Sequence, residues 1–177
     1  MCAVDTTPRI ETRRLSLRPP RPEDAPRLAR LCDDLDIVRM TSTMPWPYGL
    51  DDARSFIAMT AMADPRSDAA FLIELDDQGV VGGLGFSTGE AGRASVGYWV
   101  GRAWQGRGLA SEALVGAMDW AARCWRKRVV AAVHFSDNPA SGRVLCRAGF
   151  LYTGQVDLLH SRARREAAPA RRMIWLA

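Results

Sequence analysis

The chain has few of the residues that hold metals and disulfides: four cysteines and two histidines in 177 residues. Cys2, Cys32, Cys124 and Cys146 lie far apart and form no C-x-x-C pair. This spacing argues against a zinc site or a disulfide framework, so no metal is expected, and reduced thiols fit a cytoplasmic protein. No apolar run reaches the roughly 18 residues that would span a membrane. Asp5, Arg9 and Glu11 stand where a signal peptide would be apolar. Lysine is nearly missing. Apart from Lys127, arginine supplies all the basic charge behind the net +4. That excess is modest and dispersed, which weighs against nucleic acid as a partner. Two phosphate-binding signatures are also lacking. There is no Gly-Lys-Ser/Thr end of a P-loop and no G-x-G-x-x-G. The nearest candidate, Gly106-Arg107-Gly108, would place its third glycine at Ser111.

With 47% hydrophobic residues, the chain can fill the core of one domain. A loose leader is expected over residues 1–11 and a single domain over residues 12–177. Thr12 to Arg18 alternates with period two and reads as a first strand. Ala25, Leu28, Ala29, Cys32 and Leu35 mark one face of a helix, and Asp51 and Asp52 open a second. Strands follow at Ala69–Leu75 and Val80–Phe86, joined by a hairpin turn at Asp76-Asp77-Gln78-Gly79. Ala94–Val100 is the next strand, and a helical pattern through Ala110, Leu114, Ala117, Ala121 and Trp125 comes after it. Val129–Phe135 reads as a buried strand. Asn138 and Pro139 open a helix that Gly149 ends, and Phe150–Leu159 and Met173–Leu176 close the chain.

The most informative stretch is Gln105-Gly106-Arg107-Gly108-Leu109-Ala110, between the strand Ala94–Val100 and the central helix. The first N–H groups of a helix have no intrahelical partner, and the dipole favours negative charge there. Glycines let the backbone approach a phosphate that a Cβ would block. The stretch therefore reads as a seat for a phosphate-bearing ligand, held mainly by main-chain N–H groups.

Three segments together resemble the RimJ/RimL-like branch of the GNAT superfamily of acetyl-CoA-dependent N-acetyltransferases. They are Thr12-Arg13-Arg14-Leu15-Ser16-Leu17-Arg18; Gly97-Tyr98-Trp99-Val100 leading into Gln105-x-x-Gly108-x-Ala110 and Ser111-Glu112-Ala113; and Asn138-x-x-Ser141 followed by Gly149-Phe150. The match runs over roughly residues 12–176. The resemblance implies an α/β GNAT fold with a mixed, mostly antiparallel sheet of about seven strands and four helices. It implies that the parallel strands Ala94–Val100 and Val129–Phe135 splay apart at mid-sheet.

It further implies acetyl-CoA as co-substrate and an amine acceptor, either a small molecule or a protein N-terminus, in a cytoplasmic monomer or homodimer. The pantetheine arm would lie along Tyr98, Trp99 and Val100. One N–H near Trp99 or Val100 would face the thioester oxygen, a contact that typically contributes about 3–4 kcal/mol. The diphosphate would rest on Gln105, Gly106, Arg107, Gly108, Leu109, Ala110 and Ser111. Asn138 would bridge the pantetheine arm, with Arg143 and Arg147 at the nucleotide end.

Direct attack by the amine needs a base and a proton donor for the leaving thiolate. Many relatives have a glutamate where this chain has Ser95, and a tyrosine where it has Leu145. The base is therefore sought in Glu74, His134 or ordered water. Ser141 resembles the donor to the thiolate, and it can equally cap the first turn of its helix. Trp46 and Tyr48 are candidates for the acceptor wall. Two other readings stay open: a non-catalytic acyl-CoA-binding domain, suggested by Ser95 and Leu145, and a basic nucleic-acid-binding domain, for which the arginines at 162, 164, 165, 171 and 172 are the support.

Overall fold

The computed structural model describes residues 7–88 and 92–177, and residues 1–6 of the expected leader lie outside them. The leader expectation fails at its far end. Ile10–Glu11 form a short strand, β1, which pairs antiparallel with β2 (Leu15–Arg18) through Ile10↔Leu17 and Glu11↔Ser16. The remaining strands are β3 (Ala69–Leu75), β4 (Gly79–Thr88), β5 (Ala94–Val100), β6 (Val129–Phe135), β7 (Leu151–Ser161) and β8 (Glu166–Leu176). They make one eight-stranded sheet in the order β1-β2-β3-β4-β5-β6-β8-β7. Neighbours run antiparallel except β5 and β6.

The helices are α1 (Ala25–Cys32), α2 (Leu35–Val38), α3 (Leu50–Met62), α4 (Leu109–Arg123) and α5 (Pro139–Arg147). Among the described residues there are thus five α-helices where four helices were expected, because the apolar face that runs to Leu35 is interrupted. Asp34 turns its carboxylate onto the N–H of Asp36 (3.0 Å) and starts α2 as a new helix. Local side-chain capping of this kind competes with continuing the helix.

Alternation along the strands divides the core between the two faces of the sheet. Phe71, Ile73, Leu84 and Val96 pack with Leu109, Leu114, Ala117 and Leu145 of α4 and α5. Leu72 and Val80 pack on the other face with Leu28, Cys32, Ala53 and Ile57 of α1 and α3. Full burial of a Leu, Ile or Phe side chain contributes about 1.5–3 kcal/mol, so both faces are firmly held. Among the described residues no helix is long and apolar enough to cross a membrane.

The feature that places the site is the short pairing of β5 with β6. Only Ala94↔Val130, Ser95↔Ala131 and Val96↔Ala132 are paired. Beyond them β5 stays with β4 to Val100, and β6 stays with β8 to Phe135. The sheet therefore opens in its middle. Parity decides which main-chain groups face the gap. Gly101 N–H donates to Val81 O (2.8 Å), so Trp99 and Gly97 also turn their main-chain groups to β4. Those of Tyr98 and Val100 turn toward the gap.

Candidate active site

A cleft of about 1540 Å³ passes through this gap. On the α4–α5 side it is lined by Tyr98, Gln105, Gly106, Gly108, Ala110, Ser111, Asn138, Ser141, Arg143 and Arg147. On the other side Cys32, Met40, Tyr48, Phe56, Trp99 and Leu159 form its walls. The expected cofactor residues are thus brought together, with Arg107 outside the lining. Arg107 contributes its carbonyl instead, which accepts from Arg14 Nη1 (3.3 Å).

The loop before α4 is shaped from three directions. Gln105 Nε2 donates to Val100 O (2.9 Å) and satisfies a carbonyl that points into the gap. Gly108 sits at the N-cap with φ +77°, so the chain turns left-handed just before the helix. Glu112, in the first turn of α4, accepts from Thr12 Oγ1 (2.8 Å), Arg14 N–H (2.7 Å) and Arg14 Nε (2.7 Å). Burial raises the Glu112 carboxyl, but these donors outweigh it and hold the pKa below the usual range. The opening motif therefore clamps the loop before α4.

Ser111 Oγ is buried and has no hydrogen-bond partner among the described residues. An orphaned hydroxyl in the first turn of a helix, beside free N–H groups, fits an anion such as a diphosphate. The residues thus suit the group that the family's donor would bring.

Ser141 lies in the first turn of α5. Its N–H donates to the Asn138 carboxamide oxygen (3.1 Å), so the cap role expected of Asn138 is filled. Its hydroxyl is 2.9 Å from Tyr98 Oη, and the Tyr98 hydroxyl also lies 2.9 Å from Ser141 O. Burial pushes the Tyr98 phenol up to about 12.

Gly142 lets α5 seat closely. A Cβ there would stand 2.4 Å from Tyr152 Oη and 2.9 Å from His134 Nε2. Gly142→Ala is expected to cost about 1–3 kcal/mol in urea unfolding and to weaken donor binding, because Ser141 moves with the helix.

The base candidates fare differently. His134 is 5% exposed and sits opposite Val133 and Phe135 on its strand, which both line the cleft while it does not. Its Nδ1 lies 2.8 Å from Phe135 O and its Nε2 3.1 Å from Tyr152 Oη, so both ring nitrogens are engaged. Glu74 is paired with Arg18 (2.7 Å) and is also absent from the lining. Of the two acceptor-wall candidates, Tyr48 lines the cleft and is buried, and burial raises its phenol pKa. Trp46 is 43% exposed and lies outside the lining.

Ser95 faces Ser87 across the β4–β5 pair, with their hydroxyls 3.2 Å apart and both residues on the cleft. Beside them is Asp68, a lining residue that reading the sequence did not single out. Its Oδ2 accepts from Ser67 Oγ (2.6 Å) and its Oδ1 from Thr88 N–H (3.3 Å). Its position just ahead of the strand Ala69–Leu75 was the one sequence signal available.

Cys32 lines the cleft too, and burial pushes its thiol up to about 12. It stays protonated and is no nucleophile at neutral pH. Among the described residues no three His, Cys, Asp or Glu side chains are grouped to hold a metal ion. The C-terminal arginines do not form one free basic face: Arg164 pairs with Asp137 (2.9 Å) and Arg172 with Asp157.

The model of the acetyltransferase (GNAT) domain matches residues 14–151. The chain belongs to the GNAT acetyltransferase family. The [ribosomal protein uS5]-alanine N-acetyltransferase of Escherichia coli K12 is 28% identical over 154 residues, which cover 80% of this chain and 77% of that protein. In fold, Mycobacterium smegmatis RimJ, solved with a CoA-disulfide, superposes with a TM-score of 0.83 at 22% identity, over 96% of this chain and 88% of that one. The microcin C7 self-immunity acetyltransferase MccE, solved with acetyl-CoA and AMP, gives 0.80 at 19% identity, over 99% and 100%. This GNAT protein is an acetyltransferase, and the splayed β5–β6 pair is the expected one, in a sheet of eight strands where about seven were expected.

Proposed function

We propose that this acetyltransferase moves the acetyl group of acetyl-CoA to the α-amine of a protein N-terminus, by direct attack in a ternary complex in the cytosol. The observation that carries the choice of acceptor is the Ser87–Ser95 hydroxyl pair in the place where many relatives have a carboxylate. An α-amine has a pKa near 7.7–8.0, against about 10.4 for a lysine-like alkyl amine. At pH 7 the neutral, nucleophilic fraction of the α-amine is therefore several hundred times larger. A site with hydroxyls facing the acceptor suits an amine that loses its proton easily. Water held by Ser87, Ser95 and Asp68 would take that proton. The uS5-alanine activity of the Escherichia coli relative supports the same acceptor class.

The donor reading draws on the same geometry. The diphosphate would lie on the α4 N–H groups and Ser111, with Arg143 and Arg147 toward the nucleotide. The pantetheine amides would bond the main chain of Tyr98 and Val100 in the gap. The N–H of Val100 is the donor for the thioester oxygen, a narrower choice than the Trp99–Val100 region that the sequence allowed. With both substrates held together in the cleft no acyl-enzyme is needed, and the acceptor attacks the thioester directly.

The test is a peptide that begins with alanine and carries one internal lysine, incubated with acetyl-CoA and mapped by mass spectrometry. The acetyl group should appear on the α-amine alone, with kcat/KM rising from pH 6 to about 8 as that amine loses its proton. Transfer to lysine or to a polyamine, with the α-amine untouched, would overturn the choice of acceptor.

A further inference from the structure

We propose that Tyr98 is a positioning residue that supplies its hydroxyl proton to Ser141 as Ser141 gives its own to the departing CoA sulfur. The inference rests on the acetyl-transfer reading above and on the resemblance that makes Ser141, a residue of the cleft, the donor to the thiolate.

The geometry allows two arrangements of the same two protons. The Ser141 carbonyl oxygen only accepts, and Tyr98 Oη lies 2.9 Å from it and 2.9 Å from Ser141 Oγ. In the first arrangement Tyr98 donates to the carbonyl and Ser141 Oγ–H donates back to Tyr98. The serine proton is then turned away from the gap. In the second, Tyr98 turns its proton to Ser141 Oγ, which frees Ser141 Oγ–H to point at the sulfur. A rotation of two hydroxyls interconverts them, with no movement of heavy atoms.

The strands and helix make this pairing possible. Tyr98 lies on β5 just past the last β5–β6 pair, and Ser141 is fixed across the gap by the Asn138 cap. The tyrosine that many relatives carry on the helix is replaced here by Leu145, which is 1% exposed in the core. A phenol therefore reaches Ser141 from the strand instead. Burial keeps it protonated through the neutral range, so it is always available as a donor.

The balance is complete. The C–S bond breaks as the amine nitrogen forms its bond to the acetyl carbon. The sulfur takes the Ser141 proton, Ser141 takes the Tyr98 proton, and Tyr98 regains one from water in the cleft it lines. The proton released by the amine goes to solvent, and CoA leaves as the thiol.

The test reads ionisation of the CoA thiol in the binary complex, by the ultraviolet absorbance of the thiolate, with no acceptor present. Donors aimed at a thiolate lower the thiol pKa. Tyr98→Phe is expected to raise the pKa of bound CoA by about one unit relative to wild type. It should also lower kcat about tenfold with the KM for acetyl-CoA within about twofold. Ser141→Ala should raise the thiol pKa at least as much, and the double variant no further. Bound CoA with the same thiol pKa in Tyr98→Phe and wild type would overturn the relay alone. Failure of the wild type to bind CoA would overturn the acetyl-transfer reading and the relay with it. Should Tyr98→Phe not fold by thermal melting, the Ser141→Ala titration decides, and an unshifted thiol there overturns the relay.

Discussion

Gly108→Val is expected to raise the Kd for acetyl-CoA by about 100-fold or more, close to 3 kcal/mol, while the protein stays folded. Gly108 has φ +77° and ψ 4° at the N-cap of α4. A side chain in this left-handed conformation costs roughly 1–2 kcal/mol, which a domain of this size survives. The loss of binding has a separate origin. Gly108 lines the cleft together with Ser111, whose hydroxyl has no partner among the described residues, and a Cβ at Gly108 would meet just Arg14 Nη2, at 3.7 Å, so the side of the loop that a diphosphate would approach is bare backbone. A valine side chain fills that space and holds the phosphates away from their donors. Charge-assisted hydrogen bonds are worth about 1.5–3 kcal/mol each, so displacing two of them accounts for the effect. Gly79→Val, at φ +68° in the first residue of β4, controls for strain, since it lies outside the cleft. Calorimetry on both variants should give loss of binding in the first and wild-type affinity in the second. Equal affinity in both would mean that the donor does not rest on this loop.

How much of this was legible depended on how strongly each local signal was isolated. Ala94–Val100 and Val129–Phe135 match the strands read from sequence residue for residue, because each is an apolar run between turn-forming residues. The turn at Gln105–Gly108 was legible because glycines stand between a clear strand and a clear helix; the short 3-10 turn at Arg102–Trp104 that lies ahead of it was not. The start of β8 was hidden. Pro169 and two arginines interrupt its pattern, yet it pairs with β7 from Glu166 onward and with β6 from Ala170 onward. Pro169 is tolerated because its missing N–H removes a donor but leaves its carbonyl, which accepts from Ser136 N–H (2.8 Å).

Among the site residues, His134 could have been resolved by parity. Period two places it with Val130 and Ala132, away from Val133 and Phe135. Glu74 could not, since its engagement depends on an arginine 56 positions away that only the β2–β3 register brings alongside. The cleft wall opposite α4 and α5 was the least legible part. It gathers single residues from α1, α3, the loop after α2 and β7, and no one segment carries its pattern.

Arg18→Met is expected to destabilise the protein by about 3–5 kcal/mol, the usual cost of leaving a buried charge without its partner. Arg18 and Asp24 are 5% and 6% exposed. Their two bonds, Nη1 to Oδ2 at 2.7 Å and Nη2 to Oδ1 at 2.8 Å, are bidentate, and Nη2 also pairs with Glu74 at 2.7 Å. Asp24 further accepts from Arg21 N–H (2.7 Å), which fixes the turn into α1.

Burial alone would raise the Asp24 carboxyl, but the bonds from Arg18 and Arg21 overcome it and hold the pKa below the usual range. With a folded pKa below the unfolded one, Asp24 contributes stability that is complete above about pH 4 and is lost as pH falls through the folded pKa. Removing Arg18 reverses the sign. Burial then dominates, the folded pKa of Asp24 rises above its unfolded value, and the variant should gain stability as pH falls from 7 toward 4. Wild type should not gain over the same interval through this group. Urea unfolding at pH 7 and pH 5 measures both slopes, and parallel slopes would mean that Arg18 does not hold Asp24 in its charged form. The Arg18→Met, Asp24→Asn double variant should recover part of the loss at pH 7, since it removes the stranded charge and keeps an acceptor for Arg21 N–H.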